Sequence, residues 1–320
     1  MSKFMKTDND RLHSQNHVLF LFLDGVGLGR DIPAENPFAL ADLTHLQALA
    51  GGRWLAGRER WSGTRASFVP TDAGLGVAGK PQSATGQATL LTGKNIPQQL
   101  GYHWGPKPNA EIVRILQSDN LFMQLVRSGQ RVRLANAYPQ AYFDNIARGR
   151  RNYSAIPLAL TAAGVPLPTT ADLLAGTAFS ADFSGQAWRT ELGVPNAPSF
   201  SPQMAGNQLA KSAQQGGLLF FECWLTDYLG HRGTMSEAVQ FLQVLDGVVA
   251  GLLDAWDDAH GLLVITADHG NLEDLSHKHH TENAVPTILL GKHHAQFAQT
   301  VHNLADIASV VSQSLLESPS

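Results

Sequence analysis

Aspartate and histidine recur in this chain where apolar runs break off. HVLFLFLDGVG stops at Asp24, GGLLFFECWLTDYLGH runs out into Asp227 and His231, and GLLVITADHGN ends in Asp268 and His269. Just beyond, SHKHHTENAVP adds His277, His279 and His280 before a further apolar run, VPTILLG. Carboxylate oxygen combined with imidazole, and no thiolate, suits Zn²⁺, Mn²⁺ or iron rather than Ca²⁺. A lone Asp after a strand is ordinarily an N-cap or turn residue. Here three strands end the same way, with His231 four residues after Asp227 and His269 directly after Asp268. Metal binding accounts for the whole set, with one of the three later histidines closing a site with Asp227 and His231. Two ions held in this way clamp the attacking and leaving oxygens of an in-line phosphoryl displacement.

Such a site needs a nucleophile, and GLGVAGKPQSATGQATLLTG offers one. Gly74, Gly79 and Lys80 imitate a phosphate-binding P-loop, but Pro81 stands where that loop requires a hydroxyl and supplies neither hydroxyl nor N–H. The stretch instead fits a loop-to-helix junction closed by Gly93, with Ser83 at the helix start. A hydroxyl there can be ionised by a metal and supported by the free N–H groups of the helix N-terminus. Thr85 competes for the role, and helix capping is the ordinary alternative for both.

These residues must be positioned by the elements around them. The runs ending at Asp24, Asp227 and Asp268 are continuously apolar, as strands buried on both faces are. Helical patterns lie between them, notably Asn120 to Ser128 and Ser236 to Ala255, and RVRLANAY reads as another strand. The alternation predicts an α/β domain, a doubly wound and mainly parallel sheet with helices on both faces. Ligands of such sheets collect outside the carboxyl ends of the strands, which would bring the three ends into one crevice.

The chain of 320 residues is 43% hydrophobic and 16% charged, enough to bury a full core. A net charge of -4 and a pI near 6.3 give no basic footprint for nucleic acid and no polybasic membrane patch. The single cysteine, Cys223, sits in LLFFECWL and reads as a small buried hydrophobe. Residues 1–16 are polar, read as a flexible tail, and the run Val18 to Leu23 is too short for a signal or a span, so a cytoplasmic protein is expected.

On these residues the chain resembles the alkaline phosphatase superfamily, most closely the catalytic core of its cofactor-independent phosphoglycerate mutases and phosphopentomutases. Ser83 stands three residues before Gly86, as the mutase nucleophile precedes its Gly-His pair, and nine before the Thr92-Gly93 pair, as in related phosphodiesterases. Both registers select Ser83 over Thr85. The resemblance of LDGVG, TDYLGH and HTENAVP to family motifs implies one ion held by Asp24, Ser83, Asp268 and His269, and another by Asp227, His231 and His280. It implies two divalent ions, Mn or Zn, a small phosphorylated substrate and a phosphoserine intermediate. It spans about residues 17–100 and 216–292.

Two departures bear on the reaction. Gln87 replaces the mutase histidine, and the segment between Ser83 and Asp227 leaves only residues 139–215 for a small cap beside a core of 17–138 and 216–316. A mutase must hold its dephosphorylated intermediate, so hydrolysis of a phosphomonoester or phosphodiester is expected ahead of mutase-like isomerisation. A catalytically silent metal- or phosphate-binding relative is the alternative of another class. Arg148, Arg150 and Arg151 in the cap are candidates for the non-reacting end of the substrate, with Gln87 and Lys94 at the rim.

Overall fold

The computed structural model describes residues 16–316, so the tail expected over residues 1–16 lies outside them except for Asn16. Seven strands form one sheet: β1 (His17–Leu23), β2 (Trp61–Ser62), β3 (Ala66–Thr71), β4 (Val132–Leu134), β5 (Gly217–Cys223), β6 (Gly261–Thr266) and β7 (Val285–Gly291). Their order is β2-β3-β7-β6-β1-β5-β4. Every residue of β1, β5, β6 and β7 is buried, which is why these runs lack the alternation of a half-exposed strand.

β1 lies between β5 and β6 and pairs with both in parallel, Leu23 opposite Cys223 and Phe22 opposite Thr266. The three strands that end in ligand-type residues are therefore adjacent and stop at nearly the same level. β4 continues the parallel block on β5. On the other side β7 runs antiparallel to both β6 and β3, and β2 antiparallel to β3. The sheet is mixed, and the connection from β6 to β7, residues 267–284, contains no helix of the kind that carries a parallel crossover.

Helices cover the sheet. Pro202–Ala213 lies against β1 and β5 and pairs with the long helix Met235–Ala255, while Ile307–Leu316 lies against β1 and the helix Ser83–Thr92. Met235–Ala255 is long and apolar enough to cross a membrane, yet here it is a core helix that buries Leu242, Leu245, Val248, Val249 and Leu252. A capping box at its start joins Thr234 and Glu237 reciprocally.

The segment 139–215 is not a separate cap. The helix Ala155–Ala162 buries six consecutive residues, Ala155 to Leu160, in the main core. The buried Asn120 side chain ties this helix to the helix Ala110–Ser118 by donating to the carbonyls of both Leu116 and Ala159. Pro202–Ala213 is likewise core, and Phe179 and Phe183 pack into the same cluster. What stands aside is a small satellite of Ala137, Leu173, Ala178, Trp188 and Ala197. Continuous apolar surface such as AIPLAL must be buried against other elements, and the helices Ser83–Thr92, Ala110–Ser118 and Leu121–Arg127 supply it.

The closest helix contact depends on Gly206, where a Cβ would run into the Val248 carbonyl and come within 2.8 Å of the Leu252 nitrogen. Gly206→Ala is expected to destabilise the protein by about 1–3 kcal/mol through forced separation of the two helices. Urea unfolding measures this, and an unchanged midpoint would contradict the packing described.

Candidate metal centre

Asp24 leaves the end of β1, and its N–H donates to the Cys223 carbonyl of β5, so the first turn beyond the sheet is tied to its neighbour. Asp268 and His269 leave β6 on the other side of β1. Asp227 and His231 sit on the helix Leu225–Arg232 directly after β5, one turn apart and on one face. His280 arrives from the loop before β7, fixed by the bridge of Gly270 to Thr281. Ser83 is the first residue of the helix Ser83–Thr92, with Gln82 extended at the N-cap.

Two groups result, within each of which the ligand-type atoms lie within 4.8 Å of one another. One holds Asp24, Asp268 and His269, the other Asp227, His269 and His280. His269 Nε2 is 3.4 Å from Asp24 Oδ1, 3.6 Å from Asp268 Oδ2 and 3.0 Å from Ser83 Oγ. His231 Nε2 is 3.4 Å from Asp227 Oδ2, and His280 Nε2 is 3.6 Å from Asp227 Oδ1. The rings of His269 and His280 stack at 3.8 Å and join the two groups. The helix bearing Ser83 comes this close because residue 86 is glycine, whose Cβ would lie 2.8 Å from the Asp268 carbonyl oxygen.

The imidazoles are oriented alike. Nδ1 faces the Pro81 carbonyl in His280 at 2.9 Å, the Lys278 carbonyl in His231 at 2.9 Å and the Gly270 carbonyl in His269 at 3.3 Å. A carbonyl only accepts, so each ring carries its proton on Nδ1 and turns Nε2 inward, the arrangement of metal-ligating histidines. The Nε2 atoms of His231 and His280 then face each other at 3.1 Å. Asp24 Oδ1 is buried with no hydrogen-bond partner. Converging carboxylates, inward-facing imidazole nitrogens and an orphaned oxygen fit divalent cations.

Protonation follows the same crowding. Burial pushes the Asp24 carboxyl well above its usual range, reinforced by the Asp268 charge, and burial raises Asp268 as well. Burial disfavours a charged His269, but Asp268 and Asp24 outweigh it and hold the imidazole up to about 10. Burial and the neighbouring His269 push His280 down to about 4. Asp227 falls to about 2, because hydrogen bonding to His231, the His269 charge and Asn271 together exceed the cost of burial.

Of the rim candidates, Gln87 alone is at the centre, its Nε2 donating to Asp24 Oδ2 at 3.3 Å and Asp268 Oδ2 at 3.2 Å. Lys94 is exposed beyond the far end of the same helix, about 15 Å along its axis from Ser83. Arg148 and Arg150 are exposed, whereas the Arg151 guanidinium lies over the Tyr142 ring at 4.8 Å. His277 and His279 stay on the outer loop, with the nearest carboxylate to His277 that of Asp274 at 3.8 Å.

Supporting residues escaped the sequence analysis. Asn271 donates to Asp227 Oδ1 at 2.7 Å, and Glu273, 1% exposed, accepts from the Gly27 and Asn271 N–H groups, from Asn283 and from Thr281. Glu273 therefore locks the loop after β1 to the loop carrying His280. Glu222 was also missed, although an acid inside LLFFECWL is itself a signal. It is buried on β5, and burial together with the Asp24 charge pushes it up to about 7.

In the metal-free protein His269 contributes stability that is complete below its unfolded value near 6.5 and is lost as pH rises through about 10. A cation must displace that proton, so Zn²⁺ loading at pH 7 is expected to release at least one proton per chain. Calorimetry in buffers of different ionisation enthalpy measures the release, and none would contradict the protonated His269.

Residues 197–318 match the Metalloenzyme superfamily. A 2,3-bisphosphoglycerate-independent phosphoglycerate mutase of Methylobacillus flagellatus is 33% identical over 89 residues, 26% of this chain and 17% of the relative. That of Pseudomonas putida is 37% identical over 101 residues, 29% of this chain and 20% of the relative. The matches thus span a fifth or less of these relatives' length. Among solved structures, the PH0037 protein from Pyrococcus horikoshii shares the fold, with a TM-score of 0.56 and 13% identity over 96% of this chain and 98% of that one. Family match and fold agree with the ligand pattern at the strand ends: the core resembles that of alkaline phosphatase superfamily metalloenzymes, and among them that of the cofactor-independent phosphoglycerate mutases.

Proposed function

We propose that the protein is a two-metal phosphoryl-transfer enzyme whose nucleophile is Ser83, acting on a small phosphate ester. The observation that carries this reading is Ser83 Oγ at a helix start, 3.0 Å from the inward-facing His269 Nε2 that joins the two carboxylate groups. Asp24, Ser83, Asp268 and His269 would hold one divalent ion and Asp227, His231 and His280 the other, Mn or Zn by donor type, supplying Lewis acidity that ionises the serine hydroxyl and neutralises phosphoryl charge.

The chain's own groups do the rest. Ser83 Oγ attacks phosphorus in line, forming the Ser–O–P bond as the bond to the alcohol oxygen breaks. Thr85 N–H is taken by the Trp104 carbonyl and Gly86 N–H by that of Gln82, leaving the Ser83 and Ala84 N–H groups at the helix start for phosphoryl oxygens. Gln87 uses its amide donors on Asp24 and Asp268 and so holds those carboxylates in place. Thr85, the competing nucleophile, is buried with its hydroxyl directed at the Gln82 carbonyl.

Water is the favoured acceptor for the second step, which releases phosphate and restores the serine. The segment expected to cap the site is largely absorbed into the core, so it offers little to retain a dephosphorylated intermediate. Transfer back to the bound alcohol, a mutase reaction, is the second reading and is supported by the local identity to phosphoglycerate mutases.

Acid quenching of the Mn²⁺-loaded protein during turnover of a ³²P-labelled phosphate ester is expected to leave label on Ser83. Ser83→Ala should lower turnover by about 10³-fold or more. Full turnover by Ser83→Ala with metal bound would remove the serine from the reaction. Asp227→Asn is expected to lose metal while keeping its far-ultraviolet circular dichroism, and full metal content would withdraw Asp227 from the ligand set.

A further inference from the structure

Beside Asp24, a second polar cluster stands at the ends of β4 and β5 and takes no part in holding the metal ligands. Asn136 extends β4 by exchanging side-chain hydrogen bonds with the Glu222 backbone, 3.0 Å to its carbonyl and 2.7 Å from its N–H. This places Tyr138 so that its hydroxyl donates to Glu222 Oε2 at 3.1 Å. Glu222 is 6% exposed, and its other oxygen, Oε1, makes no hydrogen bond among the described residues. Tyr142 stacks on Tyr138 with centroids 4.3 Å apart and is 7% exposed, and its hydroxyl is buried without a partner. The Arg151 guanidinium lies over that ring at 4.8 Å and, though it makes no ion pair with Glu222 among the described residues, its charge is felt by the Glu222 carboxyl.

An open carboxyl oxygen and an unpartnered phenol are costly in a folded protein unless something meets them. Glu222 stands opposite Phe22 on the neighbouring strand, and Asp24 follows two residues after Phe22 with its N–H on the Cys223 carbonyl, so the two carboxylates leave the same face at adjacent strand ends and whatever fills this place lies beside Asp24. We infer that Glu222 and Tyr142 form the subsite for the alcohol half of the phosphate ester, and that they select an uncharged, hydroxyl-bearing group over a carboxylate. The inference rests on the phosphoryl-transfer reading above. A hydroxyl donates to Glu222 Oε1 and accepts from the Tyr142 O–H, satisfying both with one atom. A carboxylate has no hydrogen for Oε1 and adds a third acid beside Asp24 and Glu222, against which stands the single Arg151 guanidinium held over the Tyr142 ring. An ammonium satisfies Glu222 and leaves the Tyr142 donor unpaired. The side chain that fixes this preference is an acid inside an apolar strand, at a position the metal ligands do not require.

Uncleavable phosphonates on the intact Mn²⁺-loaded protein separate these cases by calorimetry. 3,4-Dihydroxybutylphosphonate and 2-hydroxy-4-phosphonobutanoate differ only in a terminal hydroxymethyl against a carboxylate, and 3-aminopropylphosphonate presents an ammonium. The dihydroxy compound is expected to bind at least tenfold tighter than either. Glu222→Gln and Tyr142→Phe, the second of which keeps the ring stack, should bring the hydroxymethyl and carboxylate compounds to within about twofold of each other. The same variants should leave binding of inorganic phosphate unchanged. Equal or tighter binding of the carboxylate or the amine in the wild-type protein overturns the inference, as does an equal loss of phosphate binding in the variants. Failure of inorganic phosphate to bind the metal-loaded wild type would instead overturn the phosphoryl-transfer reading itself.

Discussion

Like charges brought together out of water set the terms for this molecule. Asp24, Asp268 and Asp227 converge around His269 at the carboxyl edge of the sheet, and Asp24 and Asp268 are buried. Their mutual repulsion and lost hydration are unfavourable unless positive charge stands among them. Without metal, a protonated His269 offers it at the centre and His231 beside Asp227. The scaffold must therefore hold an arrangement that its own electrostatics oppose. It does so with three adjacent fully buried strands in parallel register and with Glu273, which accepts four donors and fastens the surrounding loops together. The same strain is what gives cations their affinity there.

The parts of the site that were legible in the sequence share one property: they are local. A buried strand that ends in Asp or His announces itself, and the convergence of those ends follows from the rule that ligands collect outside the shared carboxyl edge of parallel strands. His231 was placed by its spacing of one helical turn from Asp227, and Ser83 by the proline and glycine that bracket its helix. What the sequence obscured depends on distant partners. Nothing in HGNLED indicates that Glu273 reaches Gly27, and nothing in ARGRRNYS distinguishes Arg151, which finds an aromatic ring, from Arg148 and Arg150, which remain in solvent. Lys94 was placed near the site by sequence distance alone, while helix geometry carries it to the opposite end.

The boundary of the cap shows the limit of chain length as a guide. The span left between Ser83 and Asp227 suggested a module set apart over residues 139–215. The helices within that span are apolar on the faces that meet the sheet and its neighbouring helices, and they complete the main core. Function follows from this packing as much as from the ligands. Among the described residues the strand ends themselves carry the polar side chains nearest the metal centre, and there Glu222 and Tyr138 meet.

The central claim is that two cations share this edge of the sheet. Anomalous diffraction from crystals loaded with Mn²⁺ or Zn²⁺ tests it most directly. The account predicts two peaks, one among Asp24, Ser83, Asp268 and His269 and one among Asp227, His231 and His280. A single peak, or peaks bound by other residues, would contradict it.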